Sequence, residues 1–162
     1  MTPRAPNLID KIAGFVPGYK SFTAKESRRD ADKRLREHVA AVLDGSKRQV
    51  DDVVLELAKA GALDGLDEAD RLKRRVGAVA DSIRYAEYGE TGFMNDKVFD
   101  EEDLERIYDH DLALLEQAQG VVSTVGELHA EGFADSLKSC LSAVAEFNES
   151  VRARDALLRE VF

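Results

Sequence analysis

Cysteine, proline and tryptophan are scarce in this sequence: its 162 residues include one cysteine, three prolines and no tryptophan. With Cys140 alone, the chain can form no internal disulfide and lacks the companion thiols of a zinc site, so we expect a reducing, cytoplasmic compartment. No stretch approaches the roughly 20 apolar residues that a membrane-spanning helix needs. Residues 1–7 contain two prolines and no apolar run, and we expect them to be a flexible start rather than a secretory signal.

The sequence also lacks the motifs that identify common enzymes. It has no phosphate-binding loop, no Gly-x-Ser-x-Gly elbow and no dinucleotide fingerprint. Its three histidines form no His-x-x-x-His pair, and no Glu-x-x-His places metal ligands on one helix face as in ferritin-like bundles. We therefore predict no catalytic residues and no cofactor, and an enzyme has no positive support in the sequence.

Charged residues are abundant but unevenly distributed. Hydrophobic residues make up 44% and charged residues 34% of the chain, a balance typical of amphipathic helices in a folded domain. Residues 1–84 carry 17 basic and 14 acidic side chains, whereas residues 85–162 carry 6 and 18, so the net charge of −9 arises in the second half. This acidic excess argues against nucleic-acid binding. The unlike halves can attract each other within one chain or between two copies.

Apolar residues recur at helical spacing along most of the chain. The pattern predicts helical segments over residues 23–43, 46–61, about 67–85, 101–131 and 133–161. Thr23, Ser46 and Asp100 are predicted caps, and Gly45 is a predicted stop. We predict one all-α domain over residues 1–162: a bundle of four main helices plus a short N-terminal amphipathic helix. A long aromatic and glycine-rich loop is predicted between the third and fourth main helices.

Residues 8–16 are the predicted short amphipathic helix, which Pro17-Gly18 ends. Its apolar side comprises Leu8, Ile9, Ile12, Ala13, Phe15 and Val16. A helix of this length is not stable alone, so its apolar side must rest on another surface. It either caps the protein's own bundle or docks on a partner or a membrane surface.

Polar residues inside the apolar stripes are candidate site residues, because burying them is costly unless they are paired or functional. These residues are Arg28, His38, Asp111, His129, Asn148 and Asp155. If the last two helices form an antiparallel hairpin around residue 132, Asp111 lies close to residue 154 and next to Asp155. Arg28 then supplies the cation of a core polar network with both carboxylates. Alternatively, the two carboxylates bind a divalent metal, with His110 or His38 nearby.

The predicted loop over residues 84–99 combines aromatic side chains with two glycines. Its candidate partner-binding residues are Arg84, Tyr85, Tyr88 and Phe93, because tyrosine and arginine are enriched at interface hot spots. A loop of this length is unusual unless it is packed or functional. It is either a plug folded across the end of the bundle or an exposed interface.

Two motifs give the sequence a resemblance to a family. The Val-Pro-Gly-Tyr turn at residues 16–19 and the Ile-Arg-Tyr-Ala-x-Tyr-Gly-x-x-Gly-Phe loop at residues 83–93 resemble those of an uncharacterised bacterial family of small helical proteins. The resemblance covers roughly residues 8–116. It implies a bacterial, cytoplasmic, helical protein and assigns no reaction and no catalytic residue.

These observations favour a non-enzymatic helical scaffold or adaptor that acts through contacts with a protein partner or with a second copy. Two alternatives remain. The first is a peripheral membrane-associated protein that docks through residues 8–16, and the second is a metal-binding bundle that uses Asp111 and Asp155.

Overall fold

The structure, a computed structural model, describes residues 7–19, 25–86 and 100–161, with the backbone alone described for residues 25–28. Within these ranges the chain forms five helices and no strand, which confirms the all-α prediction. The helices are α1 (Leu8–Phe15), α2 (Lys25–Lys59), α3 (Leu63–Arg84), α4 (Glu101–Gly126) and α5 (Phe133–Val161).

Helix α2 is continuous for 35 residues, so the predicted division at Gly45 is wrong. Gly45 lies on the exposed side, where a methyl group added to its Cα would meet no neighbouring atom within 4 Å, and an exposed helical glycine costs only about 1 kcal/mol relative to alanine. The buried stripe continues from Leu43 to Val50 on either side of it. Ser46 does not cap a new helix, since its hydroxyl donates to the Leu43 carbonyl at 2.6 Å. Merging the two segments reduces the five predicted long segments to four main helices, so the predicted loop follows the second main helix rather than the third.

The ends of α4 show one confirmed prediction and one correction. Asp100 caps the helix as predicted, because its carboxylate accepts a hydrogen bond from the Asp103 amide at 2.8 Å. The helix ends at Gly126 rather than at residue 131. The backbone beyond it bonds to α2 instead: the Leu128 carbonyl accepts from the Gln49 side chain at 3.0 Å, and the Ala130 amide donates to the Glu56 carboxylate at 3.2 Å.

The four main helices form a bundle in which each packs against two neighbours. Helix α2 packs against α3 and α4, and α5 packs against α4 and α3, so α3 and α4 occupy opposite corners. The α2–α3 turn passes through Gly61, whose φ of 70° lies in the left-handed region that favours glycine. Helices α2 and α4 run parallel, because Gln49 and Glu56 in the second half of α2 bond to the backbone just after α4. Helices α3 and α5 each return antiparallel to the helix before them and so run parallel to each other. We call the end of the bundle at which α3 ends and α4 begins the upper end. There α3 and α4 occupy diagonally opposite corners.

Helix α1 lies against α4, as the bundle-capping interpretation expects. Ile12 and Val16 are fully buried, while Leu8, Ile9 and Phe15 are half-buried and pack on the core. The apolar side of α1 is therefore largely occupied by contacts within the chain.

Among the described residues, no helix is both long enough and apolar enough to cross a membrane.

Candidate functional site

Three buried charged residues meet between α2, α4 and α5 near the upper end of the bundle. Asp32, Asp111 and Arg154 are 3%, 0% and 1% exposed. Arg154 Nε binds Asp111 Oδ1 at 2.6 Å, and Arg154 Nη2 binds Asp32 Oδ1 at 2.8 Å. One guanidinium therefore joins a carboxylate of α2 to a carboxylate of α4. Arginine suits this position better than lysine, because its planar guanidinium holds several N–H donors in a fixed geometry.

Two further side chains extend this buried ion network. The Tyr19 hydroxyl donates to Asp111 Oδ2 at 3.3 Å, so the Val-Pro-Gly-Tyr turn after α1 is attached to it. On the other side, Arg36 Nε binds Asp32 Oδ2 at 2.7 Å, and Arg36 Nη1 donates to the Arg84 carbonyl at 2.6 Å. The network thereby reaches from α1 and α4 through α5 and α2 to the end of α3.

Burial dominates the electrostatics of this network. It raises the pKa of Asp111 above the ordinary aspartate value, while the charge and hydrogen bond of Arg154 oppose the rise. Burial also raises the pKa of the Tyr19 hydroxyl, and the neighbouring Asp111 charge raises it further. The two aspartates are matched by two guanidinium groups, so no net charge has to be buried. This arrangement is suited to fixing helix positions rather than to proton transfer at neutral pH.

The predicted register of the α4–α5 hairpin is confirmed, but the neighbour of Asp111 on α5 is Arg154 rather than the predicted Asp155. Asp111 does lie opposite residue 154, and Arg154 itself supplies the cation. Asp155 is half-buried, and its Oδ1 atom has no hydrogen-bond partner among the described residues. The side chain of Arg28 lies outside the described residues, so its predicted place in the network stays a prediction.

Sequence reasoning missed Asp32, Arg154 and Tyr19, although a signal for Arg154 was present. The buried stripe of α5 continues as Phe147, Val151, Arg154, Leu158 and Val161, with spacings of four and three residues. Continuing that alternation from Val151 selects Arg154, whereas a uniform step of four selects Asp155. Tyr19 gave no such signal, because only the tertiary packing of α1 brings its hydroxyl to α4.

The remaining polar candidates do not join the network. His38 and Asn148 are half-buried and His129 is exposed. His110 is half-buried, its Nδ1 atom has no partner among the described residues, and burial lowers its pKa. Among those residues no group of three or more histidine, cysteine, aspartate or glutamate side chains is arranged to hold a metal ion. Nothing here favours the metal-binding alternative.

The end of α3 forms a second candidate site, which we call the Arg84–Tyr85 corner. Tyr85 is 72% exposed, and the Arg84 guanidinium lies 5.9 Å from the centre of its ring. Arg84 also forms ion pairs with Asp44 and, at 2.8 Å, with Asp81. The other two predicted partner-binding residues, Tyr88 and Phe93, lie outside the described residues, so the choice between plug and interface is open for that part of the loop.

In comparisons with known proteins, no family model matches the chain, and no curated protein or solved structure is significantly similar to it. The resemblance based on residues 16–19 and 83–93 therefore stays a prediction. Any functional conclusion has to come from the geometry of this chain.

Proposed function

We propose that this protein is a non-enzymatic helical adaptor that binds a protein partner through the Arg84–Tyr85 corner. The observation that carries the proposal is the 72% exposure of Tyr85 on a rigidly held helix end. Tyrosine and arginine are, with tryptophan, the residues enriched at interface hot spots.

The corner is held in place before any partner arrives. The Arg84 guanidinium is fixed by Asp44 of α2 and by Asp81 of its own helix, and the Arg84 carbonyl accepts from Arg36. Because the Arg84 side chain is already held by these contacts, binding costs less conformational entropy than it does for a free arginine. An exposed aromatic ring beside an ordered guanidinium supports a role in recognition.

The two alternatives receive less support. The apolar side of α1 packs on the bundle through Ile12 and Val16, which leaves the half-buried Leu8, Ile9 and Phe15 and the small, exposed Ala13 for a membrane surface. A metal site built on Asp111 competes with Arg154, which already binds that carboxylate. A bacterial and cytoplasmic setting, and self-association, remain part of the proposal on sequence grounds alone.

The test compares proteins captured from native cell extract by the full chain and by its Tyr85→Ala variant, using quantitative mass spectrometry. Leu55→Ala is the matched control, because Leu55 is 60% exposed and lies in the lower half of α2. We expect at least one partner to be lost with Tyr85→Ala and kept with Leu55→Ala. Size-exclusion chromatography with light scattering shows whether that partner is a second copy.

Capture of identical sets of proteins by the wild type and by Tyr85→Ala would contradict the role of the corner. The circular dichroism spectrum and melting temperature of each variant are checked first. Both substitutions are on exposed side chains, so neither is expected to change stability by more than about 0.5 kcal/mol.

A further inference from the structure

A surface groove of about 340 Å³ separates part of α3 from part of α5. Its floor is apolar and formed by Val79, Val144 and Leu141, and its walls include Ala78 and Ala145. The two alanines are exposed, one on each helix. Small side chains at these positions leave room for the backbone of another helix to approach closely.

The polar residues of this groove lie near its ends. Arg75 lines the lower end, while Ser82 and Asn148 line the upper end. The Ser82 hydroxyl donates to the Val79 carbonyl of its own helix at 2.8 Å. Asn148 is half-buried, and its amide has no hydrogen-bond partner among the described residues. The groove therefore has an apolar floor, the side-chain amide of Asn148 at its upper end and the guanidinium of Arg75 at its lower end.

Two further cationic side chains lie beyond Arg75, towards the lower end of the bundle. Arg71 lies one turn earlier on α3, and Lys138 lies one turn before Leu141 on α5, where the parallel helices bring it to a similar height. All three cations are exposed, and none forms an ion pair with a described residue. Arg75 lines the groove, while Arg71 and Lys138 lie just below it and Asp67 and Glu68 lie one turn before Arg71. In a chain with a net charge of −9, these three cations without ion pairs make the lower end of the groove the part that attracts acidic groups.

The groove leads directly to the Arg84–Tyr85 corner. Steps of four and three residues separate Arg71, Arg75, Ala78 and Ser82 on α3 and Tyr85 directly after its end, so they lie along one face of the helix. All five are exposed. This face spans about 21 Å, which matches the length of a partner helix of about four turns.

We propose that this groove binds an acidic amphipathic helix of a protein partner, which continues over Tyr85. Apolar side chains of the partner helix fill the floor, and its glutamates or aspartates pair with Arg71, Arg75 and Lys138. This inference rests on the proposed adaptor function and assigns it a partner class. Charge complementarity selects an acidic occupant, since a basic peptide would leave the three cations unpaired. The straight exposed face of about 21 Å favours a helix as its form.

The test uses a displayed library of helical peptides of about 16 residues, selected on the full-length wild-type protein. Enriched peptides are then measured against two variants. Ala145→Trp fills the groove with an indole, and the double variant Arg75→Glu/Lys138→Glu reverses its charge. Ala153→Trp is the matched control, because it places the same side chain on an exposed position of α5 about 12 Å further along.

We expect the enriched peptides to be acidic, with apolar residues at helical spacing, and to bind at least about tenfold more weakly to either groove variant. The Ala153→Trp variant should bind them as the wild type does. Selection on the charge-reversed variant should instead enrich basic helices. All four substituted residues are exposed, and circular dichroism verifies that each variant folds.

An absence of enriched peptides, or peptides that ignore both groove variants, would overturn the inference. A wild-type dimer that dissociates with Ala145→Trp would overturn it as well, by making a second copy the occupant. Partners lost with Tyr85→Ala but unaffected by the groove variants would leave the adaptor function standing and remove only the groove. Peptides that bind the groove while Tyr85→Ala loses no partner would remove only the role of the corner.

Discussion

The buried ion network and the α3–α5 groove use the same kind of side chain in opposite ways. In the network, Arg154 is 1% exposed and binds two carboxylates within 2.8 Å. In the groove, Arg75 is exposed and forms no ion pair with a described residue. A buried cation has to be paired within the chain, whereas an exposed one can remain hydrated until a partner displaces its water. The contrast separates arginines that hold helices together from arginines available for binding.

The largest expected effect is on stability, from Arg154→Ala. This variant leaves Asp32 and Asp111 buried without their shared cation, so we expect a loss of about 3–5 kcal/mol in the free energy of unfolding. The matched variant Arg75→Ala should lose no more than about 0.5 kcal/mol, because Arg75 is exposed. Urea denaturation followed by circular dichroism measures both. Equal urea midpoints for the two variants would show that buried Arg154 contributes no more to the free energy of unfolding than exposed Arg75.

The second prediction compares the reactivity of the buried Cys140 thiol with that of a cysteine placed in the groove at residue 145. Burial raises the pKa of Cys140 to about 11, and this thiol is 0% exposed. An Ala145→Cys thiol, in a Cys140→Ala background, would be exposed with an ordinary pKa. At about pH 8 we expect it to react with a disulfide reagent at least about a hundredfold faster than native Cys140. Similar native rates for the two proteins would contradict the difference in accessibility.

A smaller change is expected from Tyr19→Phe, which removes one hydroxyl from the network and keeps the ring. Asp111 would lose the hydrogen bond that Tyr19 donates at 3.3 Å, and we expect a loss of about 1 kcal/mol. The combination with Arg154→Ala should cost less than the sum of the single changes, because both act on Asp111. Thermal or urea unfolding of the two single variants and the double variant forms the test, and strict additivity would mean that Tyr19 acts outside the network.

The smallest effect concerns Asp44, which pairs with Lys47 and with Arg84 of the Arg84–Tyr85 corner. Partial burial alone would raise its pKa, but hydrogen bonds from Lys47 and Arg84 lower it below the ordinary value. A lowered pKa in the folded state stabilises the protein above the ordinary aspartate pKa, and this contribution is lost as the pH falls. We therefore expect Asp44→Asn to cost about 0.5–1 kcal/mol at neutral pH. The difference in the free energy of unfolding between Asp44→Asn and the wild type, measured by urea denaturation, should disappear below about pH 4. A difference that does not change with pH would contradict this prediction.

Local pattern predicted much of the fold. The bounds of α5, the Asp100 cap and the residue opposite Asp111 follow from helical periodicity and capping chemistry, which act within a few residues. The predicted break at Gly45 failed, because packing on both sides of the glycine outweighs its poor helix propensity. The predicted end of α4 failed for a similar reason: Gln49 and Glu56 of α2 bind backbone groups that a longer helix would have used.

The candidate sites were less predictable. Tyr85 was chosen for its residue type within the predicted aromatic loop. The structure shows it 72% exposed, and its role in binding stays a prediction. The groove was not identified, although Asn148 was singled out as a polar residue in an apolar stripe. Its placement beside Ala78 depends on which corners α3 and α5 occupy, and no pattern within either helix specifies that.

By itself, the sequence determined that the chain is helical, where most of its helices begin and end, and that its charge is concentrated in the second half. These properties follow from interactions between residues a few positions apart. Only the tertiary structure decided that Arg154 joins Asp32 to Asp111 and that α3 and α5 leave a groove with unpaired cations. Both features depend on side chains from helices distant in sequence, and several helix arrangements bury the same apolar stripes equally well.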